Sequence, residues 1–261
     1  MATQKKVAPK STGSALTEEQ RARLLEQAQT AGGGGIRLPI INRVSLNGNA
    51  DAEENDKGEL IRPPVSFRKQ IFVGKDKDAK PAREDLGRLL DVIFVKSRRR
   101  LVARDSQGFQ VMSTSQHGHP KQVVTLWQGG QAIDKGPASE LRAKYEDLHT
   151  VQETYVLMPD GELCLLITKG AALGSKTRDP KYPNFYEYLT ALSAAGGIFA
   201  HHTQIGGVLE KGVKQFYTPV FRMGDETTDA ELVEVLKHSD ELTAIMSAYD
   251  DEHKNYNLGE V

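Results

Sequence analysis

Short runs of β-branched and aromatic residues, separated by polar loops, recur along this chain and restrict it to a strand-rich fold. The clearest is the hairpin pattern at 154–168, where two apolar runs flank a Pro-Asp-Gly turn. Helical spacing of apolar residues appears at 184–195 and after Thr228. The pattern predicts a β-rich α+β fold, a barrel or sandwich with inserted and C-terminal helices. The other strand-like runs lie at 36–46, 65–73, 91–104, 122–128 and 198–223.

Composition and capping signals divide the chain into three parts. Residues 1–35 are predicted to form a flexible leader with one short helix, which begins at a Thr17–Gln20 capping box and stops at four consecutive glycines. Residues 36–225 are predicted to form a single folded domain. Residues 226–261 are predicted to form an acidic C-terminal helix and tail, because a Thr228–Glu231 capping box precedes an apolar stripe.

Charge is unevenly distributed, although the formal net charge of the chain is only −1. Residues 62–104 contain 13 Lys and Arg against 5 Asp and Glu, a balance of +8. Residues 223–261 contain 2 Lys and Arg against 11 Asp and Glu, a balance of −9. The sequence therefore predicts a basic body with an acidic end, a distribution that suits a polyanionic partner.

The cellular compartment is indicated by cysteine usage and by the lack of long apolar runs. Cys164 is the only cysteine, so the chain has no internal disulfide and fits a reducing environment. No run approaches 18 apolar residues and the N-terminus lacks the apolar core of a signal peptide. We therefore expect a cytoplasmic protein that does not associate with membranes, with Cys164 as an apolar core residue.

The strand at 91–104 carries the densest positive charge. Strict alternation would place most of its cations, Lys96, Arg98, Arg100 and Arg104, together with Phe94 on one face and a largely apolar set on the other. Arg98 and Arg100 are accordingly predicted to contact phosphate, because guanidinium groups bind phosphate in a bidentate manner. Arg99 is predicted to point to the opposite face, where it pairs with a carboxylate or covers the rim of the barrel.

Aromatic residues beside cations elsewhere predict stacking platforms for the bases of a single strand. Tyr186 lies near Lys181, and Phe216 near Lys214. The full set of predicted DNA-binding residues is Phe94, Lys96, Arg98, Arg100, Arg104, Trp127, Lys169, Lys176, Arg178, Tyr186, Lys214 and Phe216.

No catalytic constellation is recognisable, and the sequence predicts no enzyme activity, no metal and no cofactor. The segment 170–177 approaches a phosphate-binding P-loop, but Ser175 stands in place of its second glycine. Pro180 and Pro183 also prevent the helix that such a loop requires. The pairs His117 with His119 and His201 with His202 lack neighbouring carboxylates, so we expect loop or surface histidines.

The order of these segments resembles a family of bacteriophage single-stranded DNA-binding proteins. The similarity covers roughly 36–248 and rests on the strand "IRLPIINRVS", the Gly58–Leu60 turn, the strand "DVIFVKSRRRLVARD", the hairpin Tyr155–Glu162, and the segments "FYEYLTAL" and "GGIFAHHTQIGG" to "KQFYTPVF". The resemblance implies an OB-like barrel with inserted and C-terminal helices. It also implies a role in phage DNA replication or recombination.

The expected function is therefore sequence-independent binding of single-stranded DNA without catalysis. The acidic C-terminal region would recruit replication or recombination proteins and compete with DNA for the binding groove, as in other single-stranded DNA-binding proteins. The main alternative is a structural or assembly protein of a virion, since strand-rich folds with flexible leaders also serve there. A third hypothesis is a recombination mediator that anneals single strands.

Overall fold

The computed structural model describes residues 41–46, 53–54, 60–62, 65–71, 82–104, 110–129, 131–174, 181–210 and 216–254; the predicted leader 1–35 lies outside them. In this part of the chain the strands are β1 (Arg43–Leu46), β2 (Glu53–Glu54), β3 (Leu60–Arg62), β4 (Phe67–Ile71), β5 (Ala82–Gly87), β6 (Leu90–Arg104), β7 (Gln110–Thr114), β8 (Val123–Gln128), β9 (Gln131–Pro137), β10 (His149–Leu157), β11 (Leu163–Lys169), β12 (His201–Glu210) and β13 (Phe216–Glu226). The helices are α1 (Ala138–Lys144), α2 (Phe185–Ala194) and α3 (Asp229–Lys254), and Gly170–Leu173 form a 3₁₀ turn. The predicted β-rich α+β class is confirmed.

Eleven of these strands form one open, mixed sheet. Its main path runs β5-β4-β1-β11-β10-β6-β7-β8-β9, and β2 and β3 pair separately as a short ribbon. All pairings are antiparallel except that of β1 with β11. The predicted hairpin is β10–β11, and Gly161 adopts a φ of 81° in its turn, a conformation that glycine reaches without strain.

Strand β6 is the point at which the sheet branches. Along one edge it pairs with β10 from Ile93 to Val102. Along the other edge its first residues, up to Ile93, pair with β12, and its last residues, from Val102, pair with β7. Between these two pairings no strand of the described ranges lies beside β6. The sheet therefore forks around the middle of this strand, where the three consecutive arginines lie.

A β-bulge at Val95 changes which face each side chain of β6 occupies. Tyr155 of β10 lies opposite Lys96 and Val156 lies opposite Phe94, so Val95 is the extra residue. A bulge shifts the two-residue alternation by one position. Phe94 consequently lies on the face opposite to Lys96, Arg98 and Arg100. The prediction that Phe94 shares a face with Lys96, Arg98 and Arg100 is therefore wrong.

Each face is covered by a different long helix, and we name the faces after them. The α2 face carries Phe94 before the bulge and Arg99 after it, and Phe94 packs against Phe185 and Tyr188 of α2. The α3 face carries the remaining cations of β6 that follow the bulge, and its apolar part packs against the stripe of α3 that includes Val235, Leu242 and Met246. A third apolar cluster, around Leu101 and Leu141, attaches α1 to the far end of the α2 face.

The helix caps follow the sequence signals closely. Asn184 caps α2, accepting bonds from the backbone amides of Tyr186 and Glu187, and Gly196 follows the end of this helix with a φ of 122°. At the start of α3, Thr228 and Glu231 form the predicted capping interaction. No helix in the described ranges has both the length and the apolar composition needed to cross a lipid bilayer.

Phe94→Ala is expected to lower the free energy of unfolding by about 3–5 kcal/mol, because it leaves a cavity within a fully packed aromatic cluster. Phe94 is completely buried and also contacts Phe221. The half-buried Phe216 lies outside the three apolar clusters, so Phe216→Ala is the matched control and should cost much less. Urea unfolding at equilibrium measures both values. Equal losses in the two variants would contradict this assignment of the core.

Candidate nucleic-acid interface

Two arginines predicted to contact phosphate are buried in an ion-pair network. Arg98 and Arg100 are 6% and 4% exposed, and Glu153 of β10, between them, is 4% exposed. Arg98 donates from Nε to Glu153 Oε2 at 2.7 Å, and Arg100 donates from Nη1 to the same carboxylate at 3.3 Å. The expectation that both guanidinium groups lie on an exposed face is wrong, because a carboxylate from the neighbouring strand allows them to be buried.

The register of β6 and β10 brings these groups together. Glu153 stands directly opposite Arg98, and in antiparallel strands such residues project from the same face. Arg100 is held further by a hydrogen bond from its Nε to the carbonyl oxygen of Thr114 at 2.8 Å. Burial acts to raise the pKa of Glu153, but the charges of Arg100 and Arg98 outweigh it and the net shift is downward. The carboxylate therefore stays ionised at neutral pH.

Two further arginines extend this network, and we call Arg43, Arg98, Arg100 and Arg104 with Glu153 the arginine cluster. Burial lowers the pKa of Arg43 and Arg104, and the charge of Arg43 lowers that of Arg104 further. β1 and β6 are three places apart in the sheet, and Arg43 and Arg104 project from the same α3 face.

Lys96 links the arginine cluster to the acidic helix. Its Nζ donates to Thr243 Oγ1 of α3 at 2.6 Å. Burial and the charge of Arg98 lower the pKa of Lys96, whereas Asp240 of α3 acts in the opposite direction. The acidic helix α3 thus packs beside the cations of β6. The sequence shows only that positive and negative charge lie in different segments, so it does not reveal this contact.

The other predicted residues divide between the two faces. Trp127 is buried and belongs to the α3 face, because it lies opposite Ser113, which lies opposite Val102. Lys169 is exposed on the same face, opposite Val151. The α3 face thus collects the predicted residues Lys96, Arg98, Arg100, Arg104, Trp127 and Lys169.

The remaining predicted residues do not join that set. Phe94 is a core residue of the α2 face, and Tyr186 lies on the same face. Phe216 begins β13, which pairs with β12. Lys176, Arg178 and Lys214 lie outside the described residues.

Sequence reasoning missed Glu153, Arg43 and Arg83 at this interface. Arg83 is exposed on β5 and lies opposite Gln70, which lies opposite Arg43, so it shares the α3 face. A signal for Glu153 was present, since a carboxylate inside the otherwise apolar run of β10 requires a cationic partner. No comparable signal assigns Arg43 or Arg83, because their positions depend on the order of strands in the sheet.

Two single-residue predictions have clear outcomes. Cys164 is a core residue, as expected, and burial raises the pKa of its thiol to about 12. His117 lies in a loop, one of the two predicted alternatives, but it is only 5% exposed rather than at the surface. Its backbone amide donates to the carbonyl oxygen of Arg99 at 3.0 Å, which draws the histidine against β6. Burial and the charge of Arg99 lower the pKa of His117 to about 4.

Comparison of the chain with known protein families, with curated proteins and with solved structures finds no match in any of the three.

Glu153→Gln is expected to lower the free energy of unfolding by about 3–5 kcal/mol at pH 7, because two buried guanidinium groups lose their shared counter-charge. Asp134→Asn is the matched control. It removes a carboxylate from an ion pair with the largely exposed Lys144 and should cost within about 1 kcal/mol. Urea unfolding of both variants tests the difference. If Glu153→Gln lowered the free energy of unfolding by less than Asp134→Asn does, the stability of the arginine cluster would not depend on Glu153.

His117→Gln is expected to flatten the pH dependence of stability. The unfolded chain binds a proton at this residue near pH 6.5, whereas the folded chain binds it only near pH 4, so acidification favours unfolding. Between pH 7 and pH 5 the wild type should lose about 2 kcal/mol more of its unfolding free energy than the variant. Urea unfolding at several pH values measures this, and parallel curves would contradict the burial of His117.

Proposed function

We propose that this protein binds single-stranded DNA without sequence preference and without catalysis, through the α3 face of its sheet. The observation that carries the proposal is the collection of cations on this one face, from Arg83 on β5 to Arg104 on β6. A single strand presents one negative charge per nucleotide, so a row of cations across several strands can follow its backbone. The proposed setting is phage DNA replication or recombination in the host cytoplasm.

Burial assigns different roles to the cations of this face. Arg98 and Arg100 are paired with Glu153 and lie buried beneath the surface of the α3 face. They therefore contribute electrostatic potential and shape rather than direct phosphate contacts. Arg83 and Lys169 are exposed, and we assign direct phosphate contacts to them. Trp127 lies on the same face but is buried, so it supports the face rather than stacking on bases.

An OB-like arrangement of the strands forms part of this proposal. The branching of β6 between β12 and β7 and the bulge at Val95 support it. Bulges and branching strands are the means by which small sheets turn into barrels. The acidic helix α3, which meets this face at Lys96, is proposed to compete with DNA and to recruit replication or recombination proteins.

Fluorescence anisotropy with labelled oligo-dT and with a duplex of equal length tests the binding activity. We expect much tighter binding to the single strand, with an affinity that falls steeply as salt rises, since each phosphate contact releases a counterion. Binding that is absent, or that does not respond to salt, would contradict the proposal and favour a structural protein of a virion.

Arg83→Gln with Lys169→Gln is expected to weaken binding to every single-stranded sequence about equally. The slope of log affinity against log salt should become shallower by about 1.4, because two contacts of about 0.7 each are lost. Lys121→Gln with Arg142→Gln is the matched control, since it removes the same charge from exposed positions away from the α3 face. Equal effects of the two double variants would show that only net charge matters and that the α3 face is not the binding surface.

A further inference from the structure

A row of polar side chains crosses the opposite face of the sheet, between its two apolar clusters. Arg99 of β6, Gln152 of β10 and Thr168 of β11 lie directly opposite one another on the α2 face. Directly opposite residues have Cβ atoms about 4.5–5.5 Å apart, so the three side chains are neighbours. His117 lies at the free edge of β6 beside Arg99, to whose carbonyl oxygen its backbone amide donates.

Three buried atoms in or beside this row have no hydrogen-bond partner among the described residues. They are Gln152 Oε1, Thr168 Oγ1 and His117 Nδ1, and the three residues are 5%, 1% and 5% exposed. A buried polar atom without a partner is destabilising by about 1–3 kcal/mol, so three of them in one place require a physical explanation.

The guanidinium group of Arg99 is held by Tyr186 at the more exposed end of this row. Its Cζ lies 4.3 Å from the ring centroid of Tyr186, and its Nε donates to Tyr186 Oη at 2.8 Å. Arg99 and Tyr186 are both half-exposed. Among the described residues no acceptor engages the two Nη atoms of Arg99. Tyr186 therefore holds the guanidinium group through Nε and its ring, and leaves the two Nη atoms available to a ligand.

We propose that Arg99, His117 and Gln152 form a binding site for a phosphate monoester group, with Tyr186 as the positioning residue. The two Nη atoms of Arg99 would bind two phosphate oxygens, as guanidinium groups commonly do. His117 would donate from Nδ1 as a neutral imidazole. Thr168, one position further along the row, would donate its hydroxyl.

The amide of Gln152 fits this role after a simple rotation. Its Nε2 donates to Ser97 Oγ at 2.8 Å. Ser97 Oγ can donate as well as accept, so turning the amide by 180° preserves this hydrogen bond and presents Nε2 to the ligand. The row then offers hydrogen-bond donors from three strands and one loop. Its only formal charge is the positive charge of Arg99. That composition favours an oxyanion over a metal ion or a neutral apolar ligand.

This site is independent of the proposed strand-binding surface, because it lies on the opposite face of the sheet. The two proposals can therefore fail separately. Loss of phosphate binding in an Arg99 variant with normal binding of oligo-dT would support a second site. Its occupant is either a free phosphate group or the 5′-terminal phosphate of a DNA strand, and the experiment below separates these two sources.

Sulfate, a dianion at every pH of interest, is the probe for the first measurement. Histidine NMR titrations of the full chain are recorded in sodium sulfate and in sodium chloride of equal ionic strength. We expect sulfate to raise the pKa of His117 from about 4 by about one unit or more, because the bound dianion offsets the charge of Arg99. Arg99→Gln should remove the sulfate effect, while Arg142→Gln should leave it unchanged.

Calorimetric titration then identifies the source of the phosphate. A thymidine dinucleotide with a 5′-phosphate should bind about ten- to a hundredfold more tightly to the wild type than to Arg99→Gln. The same dinucleotide with a 5′-hydroxyl should not distinguish the two proteins if the terminal phosphate is the ligand. Inorganic phosphate that binds as tightly as the phosphorylated dinucleotide would identify free phosphate instead.

Tyr186→Phe tests positioning, because it keeps the ring and removes only the acceptor of Arg99 Nε. It should weaken sulfate binding severalfold without changing the midpoint of thermal unfolding. Equal effects of sulfate and chloride on His117 would overturn the proposal and show that ordered water alone satisfies the buried atoms. A sulfate effect that persists in Arg99→Gln would overturn it too, because Arg99 would then not be the ligand.

Discussion

The α3 face depends on the ion pairs that Glu153 makes with Arg98 and Arg100. Removing two guanidinium groups from water costs several kcal/mol for each, and only a hydrogen-bonded counter-charge offsets this. Glu153 supplies it from the adjacent strand, so the middle of β6 can be polar and still packed. Arg43 and Arg104 then lie within electrostatic range of the same carboxylate, which concentrates positive charge on one side of the sheet.

The bulge at Val95 and the fork of the sheet determine how the consecutive arginines are used. Before the bulge β6 is an apolar strand between two cores, and after it the strand carries cations to both faces. Arg98 and Arg100 join the carboxylate on the α3 face, whereas Arg99 stacks against Tyr186 on the α2 face. Because no described strand covers the free edge of β6 at this point, His117 can approach Arg99 from the side. One segment thereby serves both proposed sites.

Local sequence signals predicted much of the fold. The Pro-Asp-Gly turn, the capping residue Thr228 and the strand-like runs act over a few residues, and each formed as expected. The candidate site was less predictable. The cations of β6 were identified, but their burial was not, because it depends on Glu153, more than fifty residues further along the chain. The α3 face also includes Arg43 and Arg83, which only the order of the strands brings to it.

The sequence by itself determined the strand-rich class, the turns, the helix caps and the segregation of charge, because these follow from the period of apolar residues and from local backbone chemistry. Only the tertiary structure decided which face each cation occupies. One extra residue in β6 reverses the alternation of side chains between the two faces. The residues around Val95 give no sign of it, because a bulge arises from the register with a distant partner strand. The same register placed the carboxylate of Glu153 beside Arg98 and Arg100. It placed Arg99 on the other face, where this residue contacts Tyr186.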